Sequence, residues 1–219
     1  MERTRDLTRT RERLLAAALT EFAAHGLAGA RCDAIARRAR VNQRMIFYCF
    51  GSKENLYREI LRRKFSERAS FFEASPDALA SAILYWYEAG SSDLEWVRLL
   101  EWEALGPLDE KLVGEEERRA YIKRSIARLR RTGLRNNFPA GLDLTQLHLS
   151  MIALTLFPLA FPQMTRLATG LNPTDPRFRR RRLQFLRWLG GQLEGAASRP
   201  ARSGAAPRAK RKTRAPAES

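Results

Sequence analysis

The sequence predicts an all-α protein of about nine helices, divided into a small N-terminal part, a larger helical body and a tail. Three observations carry that expectation. Apolar residues recur at helical spacing along most of the 219 residues, and no stretch past Phe72 alternates as a half-buried strand would. Gly and Pro fall where helices should stop. Charge is unevenly shared: residues 1–64 hold 15 Lys/Arg against 7 Asp/Glu, residues 65–142 hold 11 against 13, and residues 199–219 hold 7 against 1. A basic head and a basic tail thus flank a near-neutral body, and a formal net charge of +16 makes a polyanionic partner the first to consider.

The first helix is marked by Leu14, Leu15, Ala18, Leu19 and Phe22 on one face, and is expected to stop at His25 and Gly26. "CDAIARRAR" follows, with Ile35, Ala36 and Ala39 on one face and Arg37, Arg38 and Arg40 turned outward. It is too short to hold alone. After a break at Val41, Asn42 can cap a second short helix through its side-chain oxygen, with Gln43, Arg44, Met45, Ile46, Phe47 and Tyr48 forming its turns. "GSKENLYREILRRKF" then opens with Ser52 as a cap and Glu54 in the first turn, where the helix dipole favours an acid, and turns Leu56, Ile60 and Leu61 inward.

Two short helices joined by a tight turn, braced on either side by an amphipathic helix, form the arrangement that lays its second short helix in a DNA major groove. On this reading Ile46, Cys49 and Phe50 anchor that helix to its braces. Asn42, Gln43, Arg44, Met45, Phe47, Tyr48 and the nearby Lys53 are left to meet base edges and phosphates. A packed hairpin with merely solvated arginines is the plainer alternative, and it leaves the joint occurrence of the turn with "F-x-S-K-E-x-L" unexplained.

These residues resemble the TetR family of bacterial transcriptional regulators, whose pattern here is similar to "I-A-x-x-A-x-V-s-x-x-x-l-Y-x-Y/H-F-x-s-K-e-x-L". The matching positions are Ile35, Ala36, Ala39, Val41, Asn42, Ile46, Phe47, Cys49, Phe50, Ser52, Lys53, Glu54 and Leu56, within about the first 60 residues. Arg31 stands where the family usually has a Ser or Thr cap, and Arg40 where it usually has a turn Gly. A non-Gly residue held in a left-handed turn costs about 1 kcal/mol. Phe47 and Cys49 occupy the family's phosphate-binding Tyr and Tyr/His positions, so Arg44, Tyr48 and Lys53 are expected to carry more of the backbone contact. The resemblance implies a homodimer bound to a double-stranded DNA operator, a small-molecule effector of unknown identity, and a repressor more readily than an activator. It also implies three parts: residues 1–60 as the DNA-binding domain, 61–194 as the regulatory and dimerisation domain, and 195–219 as a disordered basic tail.

Beyond Phe72, "PDALASAILYWYEAG", "DLEWVRLLEWEALG" and "EEERRAYIKRSIARLRRTG" each begin with acids or Pro and end at Gly. "LDLTQLHLSMIALTLFP" is expected to break at Pro158 and Pro162, and "DPRFRRRRLQFLRWLGGQLE" to close the fold. Trp86, Trp102, Tyr121, Ser125, His148, Phe157 and Phe161 are the candidates to line a pocket between these helices, although aromatics at helical spacing are more often core. Leu147, Met151, Leu154, Phe178, Leu186, Leu189 and Leu193 are expected to be shared between the subunit core and a two-fold seam. The tail from Gly195, rich in Ala, Pro, Ser and base, is either a DNA-tracking arm or a solubilising extension.

Other classes fit poorly. The longest apolar run, Met151 to Phe161, is too short to span a bilayer, and the N-terminus has acids among its arginines, so a cytoplasmic location without a membrane is expected. Cys32 and Cys49 form no C-x-x-C pair, which leaves neither a metal nor another cofactor indicated. No nucleophile elbow, Walker loop, dinucleotide fingerprint or H-E-x-x-H is present, and Glu101 and Glu103 fall on different sides of a helix, so no enzyme is expected. An architectural DNA-binding protein without an effector remains the alternative.

Overall fold

The computed structural model describes residues 2–107, 109, 111–135, 138 and 141–197. Among these there are ten helices and no strand: α1 (Glu2–Gly29), α2 (Cys32–Ala39), α3 (Arg44–Phe50), α4 (Lys53–Glu73), α5 (Leu79–Ser92), α6 (Leu94–Ala104), α7 (Glu115–Arg135), α8 (Leu144–Ala160), α9 (Pro162–Thr169) and α10 (Pro176–Ala197). The expected tail lies outside the described residues from 198 onward, and its first three residues continue α10.

Two apolar cores organise these helices. In the first, Leu14, Phe22, Ile35, Ile46 and Leu56 from α1 to α4 are wholly excluded from solvent, together with Leu99 of α6. The second is built from Ile83, Tyr87, Met151 and Leu186 of α5, α8 and α10. Burying each such side chain contributes roughly 1.5–3 kcal/mol, so neither core is marginal. The helix α4 belongs to both regions: Leu56, Ile60 and Leu61 sit in the first core, and Phe72 near its far end packs on the second.

Local chemistry fixes the joints. The first helix breaks where expected, at Gly26, whose φ of 65° and ψ of −178° are open only to glycine, but a further turn carries it on to Gly29. The Trp102 indole lies against Gly26 so closely that a Cβ there would stand 2.8 Å from the ring, and its Nε1 donates to Ala23 O at 3.1 Å. The fifth helix starts at Leu79 and not at Pro76 because the Ala80 N–H is met by the Glu194 carboxylate at 3.0 Å. At the crossing of α5 and α10, Gly190 lies against the Ala80 backbone, where a Cβ would come within 2.5 Å of Ala80 Cα. Arg128 of α7 caps the end of α4 by donating to the carbonyls of Phe72, Glu73 and Ser75.

Pro158 overturns one expectation, since α8 runs through it to Ala160. Proline lacks the N–H that would bond the carbonyl four residues back, and an orphaned carbonyl usually ends or kinks a helix. Here that carbonyl, Leu154 O, accepts instead from the Arg182 guanidinium of α10. The real break is at Phe161, and Pro162 opens α9 at the position where its missing N–H does no harm. This short helix is the one that the expected count of about nine omitted.

Candidate functional site

The N-terminal region presents α3 to solvent on one side and buries it on the other. Ile46 has no exposure, Met45, Cys49 and Phe50 are half-buried against the first core, and Arg11 stands over the Phe50 ring at 4.6 Å. The Asn42 side chain accepts from Arg44 N at 2.9 Å, as a capping residue does. Ser52 accepts from Asn55 N at 3.1 Å and opens α4 in the same way. Asn42, Gln43 and Arg44 are exposed, with Phe47 at 49% and Tyr48 at 73%. Large aromatics so exposed on a helix that also carries a free guanidinium lose nothing to water only if another surface covers them.

The turn between α2 and α3 is held by Arg40, which adopts the left-handed conformation at φ 53° and ψ 46°. The Arg40 carbonyl accepts from Arg13 at 3.1 Å, which offsets part of the strain. No side chain caps α2 at Arg31; the Arg31 N–H donates to the Glu21 carboxylate at 3.3 Å instead. Arg31 and Arg37 pair with Asp33 at 3.2 and 3.0 Å, whereas Arg38 and Arg40 are exposed. Lys53 is half-buried and donates to Ala30 O at 3.2 Å, a bond that leaves its ammonium two further donors.

In the second region, α4, α5, α6, α7 and α8 line a half-open cavity of about 650 Å³. Its walls include Phe65, Phe71 and Phe72 of α4, Trp86 of α5, Trp96 of α6, Tyr121 of α7 and Ile152 and Leu156 of α8. His148 sits edge-on between Phe72 and Trp86, with ring centroids at 5.9 and 5.8 Å. Among the described residues neither of its nitrogens has a hydrogen-bond partner, nor has the indole Nε1 of Trp86. Burial pulls the His148 pKa below 6.5, so the ring is neutral at pH 7, with one donor and one acceptor. Burial pushes the Tyr121 phenol up to about 12. At the rim Asp93 caps α6 and pairs with Lys64 at 2.9 Å and with Arg68. Burial works to raise the Asp93 pKa, and these hydrogen bonds and charges overcome it and hold the carboxyl below its usual range.

The cavity wall brings Trp86, Tyr121 and His148 together, and the four other candidates lie off it. Ser125 faces a neighbouring hollow of about 560 Å³ walled by Arg124, Arg128, Arg131, Glu73 and Asp77. Phe157 and Phe161 are half-exposed and lie against each other, tilted by 31° with ring centroids 4.9 Å apart. Trp102 is 38% exposed and lies at Gly26. The reason is angular: Phe157 is two residues past Thr155 and Trp102 two past Leu100, about 200° around their helices from cavity-lining neighbours. Sequence reasoning missed Phe65, Phe71, Phe72 and Trp96, whose only signal was an aromatic-rich second half of α4 facing an aromatic α6.

The residues expected to be shared between the subunit core and a two-fold seam divide by burial. Leu186, Met151 and Phe178 are 0%, 1% and 7% exposed, deep in the subunit's own core, and Leu147, Leu154 and Leu189 are half-buried. The apolar groups that α8 and α10 turn outward are Leu149, Phe157, Phe185, Trp188 and Leu193, with Phe161 exposed at the break after α8. Arg182 joins the two faces, reaching Leu154 O and standing over the Phe185 ring at 5.4 Å.

Residues 14–60 match the family described as bacterial regulatory proteins, tetR family. The chain is 31% identical over 166 residues to the HTH-type transcriptional repressor SCO4008 of Streptomyces coelicolor, a match that covers 76% of this chain and 86% of that protein. It is 40% identical over 72 residues to the HTH-type transcriptional repressor NicS of Pseudomonas putida, covering 33% of this chain and 32% of that one. Among solved structures, the transcriptional regulator SCO4942 of Streptomyces coelicolor superposes with a TM-score of 0.68 at 23% identity, over 82% of this chain and 97% of that one. The transcriptional regulator FadR of Bacillus subtilis, in complex with stearoyl-CoA, superposes with a TM-score of 0.57 at 16% identity, over 80% of this chain and 96% of that one.

Proposed function

The chain belongs to the TetR family of bacterial regulatory proteins, and from that premise we propose that it is a cytoplasmic, homodimeric repressor which leaves its operator when a small molecule occupies the cavity beneath α4. Residues 1–60 read DNA and residues 61–194 bind the effector and dimerise. The observation that carries the DNA half is the exposed face of α3, where Asn42, Gln43, Arg44, Phe47 and Tyr48 stand free of any core. Arg44 is suited to a bidentate guanine contact, Tyr48 to a phosphate through its hydroxyl, and Lys53 to a phosphate through its remaining donors.

Dimerisation follows from the outward apolar groups of α8 and α10. A two-fold axis through Phe185 and Trp188 would cover them twice over and hold two copies of α3 about 34 Å apart, one helical turn of DNA. Release then needs a ligand that prefers a differently spaced dimer. The fourth helix supplies the linkage, because Phe65, Phe71 and Phe72 wall the cavity while Leu56 and Ile60 of the same rod lie beneath α3.

Selection of bound sequences from a random DNA pool tests this directly. A dyad-symmetric site with half-sites one turn apart is the expected result, with binding lost in Trp188→Glu monomers. Equal affinity for all sequences would instead favour an architectural protein, and the basic residues of 195–219 would then contribute more of the affinity through counterion release.

A further inference from the structure

The cavity's polar groups specify more than its volume does. Arg118 is buried to 9% exposure, with its guanidinium over the Phe65 ring at 3.2 Å and two of its nitrogens on Glu103 at 2.7 and 2.8 Å. Its Nε, just beneath the cavity surface, has no partner among the described residues. A small shift of the wall would turn this unused donor to an anion in the cavity, and donors to a charged acceptor are strongest where water is excluded. The aromatic faces point the same way. Arg118 covers Phe65, and Arg68 stands 5.9 and 5.8 Å from the Phe71 and Trp96 rings, so the π-surfaces a cationic guest would seek already hold the protein's own cations. The charged residues on the lining are Arg68, Arg118, Arg119, Lys123 and Glu115. Arg68 is paired with Asp93, Arg118 with Glu103 and Arg119 with Glu115, which leaves Lys123 without an ion pair among the described residues.

We propose that the effector is an amphipathic organic anion, an apolar ring system bearing one carboxylate or sulfonate, with its charge at Arg118 and Lys123 and its body between Phe72, Trp86 and His148. This rests on the cavity being the effector site. The unpartnered Trp86 Nε1 donates to an acceptor on the body, and the neutral His148 offers one donor and one acceptor beside it. Neutral analogues lose the charged contact, and cationic ones meet like charge at the rim.

Two fluorescent probes with one skeleton separate the possibilities: 1-anilinonaphthalene-8-sulfonate and its uncharged parent, N-phenyl-1-naphthylamine. The full-length protein should bind the sulfonate at least about tenfold more tightly, the gain expected of one hydrogen bond to a charged group. Removing Arg118 alone strands the Glu103 carboxylate, so Arg118→Met is made together with Glu103→Gln, and Lys123→Met tests the rim without disturbing the interior. The sulfonate's advantage should collapse in the double variant and shrink in Lys123→Met, with the parent's affinity unchanged. Equal affinities in the unaltered protein, or an advantage that survives in both variants, would overturn the anion while leaving the cavity reading intact. Ile152→Trp, which fills the cavity, should abolish binding of both probes; binding that persists there removes the cavity reading and the anion together.

Discussion

The two cores differ in how they treat polar atoms. Between residues 6 and 73, every buried side-chain nitrogen and oxygen has a hydrogen-bond partner, down to Glu21, whose carboxylate meets the Arg31 N–H. From Trp86 onward the interior holds several without one among the described residues: Trp86 Nε1, Tyr87 Oη, Glu101 Oε1, Ser125 Oγ, both nitrogens of His148, and the Nε atoms of Arg118 and Arg182. An unmet buried polar group destabilises by about 1–3 kcal/mol, so a folded chain retains such groups where something else meets them. The first core is finished without a partner and supplies a rigid platform for α3. The second keeps Trp86, Arg118 and His148, all on the cavity wall, with polar atoms that the proposed guest would meet.

Variants can break this contrast or sharpen it. The largest effect is expected for Leu186→Glu, which places a carboxylate at a site with no exposure in the second core. A loss of at least about 4 kcal/mol in urea unfolding, followed by circular dichroism, is expected, well beyond a defect in dimerisation alone. Gly26→Ala comes next, at about 2–3 kcal/mol, because the backbone there is open only to glycine and the new Cβ meets the Trp102 ring. Arg44→Ala should leave the melting temperature unchanged and weaken operator binding by about 1–3 kcal/mol with relaxed preference at one base, read by fluorescence anisotropy on a substituted operator set. Arg40→Gly relieves the left-handed turn and should stabilise the first core by about 0.5–1 kcal/mol, the gain being limited by the freer unfolded chain.

His148→Leu is the smallest in stability and the sharpest test. Replacing a buried, unpartnered imidazole by an apolar group of similar size should leave stability within about 1 kcal/mol of the starting protein, or raise it, while release from DNA by effector is lost. It also has a pH signature. The His148 pKa is lowered in the fold, so below the ordinary value of 6.5 the unfolded chain takes up the proton first, and stability falls as the pH drops from there toward the lowered pKa. The variant should lack that slope, and a protein whose slope is unchanged by the substitution would show that His148 is not the group responsible.

The same contrast explains what was legible in the sequence. The first core is made of short-range features, each readable alone: the Asn42 and Ser52 caps, the break at Gly26 and the inward Ile35, Ile46 and Leu56. The left-handed turn at Arg40 was readable through the resemblance to the TetR pattern. The cavity depends on angles between five helices, which no local pattern encodes, so an error of two residues around a helix was enough to misplace Trp102 and Phe157. Pro158 misled for a similar reason. Its rescue comes from Arg182, 28 residues beyond the Leu154 carbonyl it meets, and the local rule for proline had no means of including it.

The Trp102 contact with Gly26 has a mechanical consequence. The reading head is attached to the rest of the subunit on two sides, along the rod of α4 and along α6, where Leu99 enters the first core, Thr20 donates to Glu95 at 2.8 Å and the Trp102 indole sits on Gly26 and donates to Ala23 O. A body pinned on two sides resists sliding and tumbling; its easiest motion is a swing about the line joining the pins. Motion at the cavity is therefore expected to reach α3 as rotation about that single axis, in which even a slight turn at the pins is lengthened into a displacement at Tyr48.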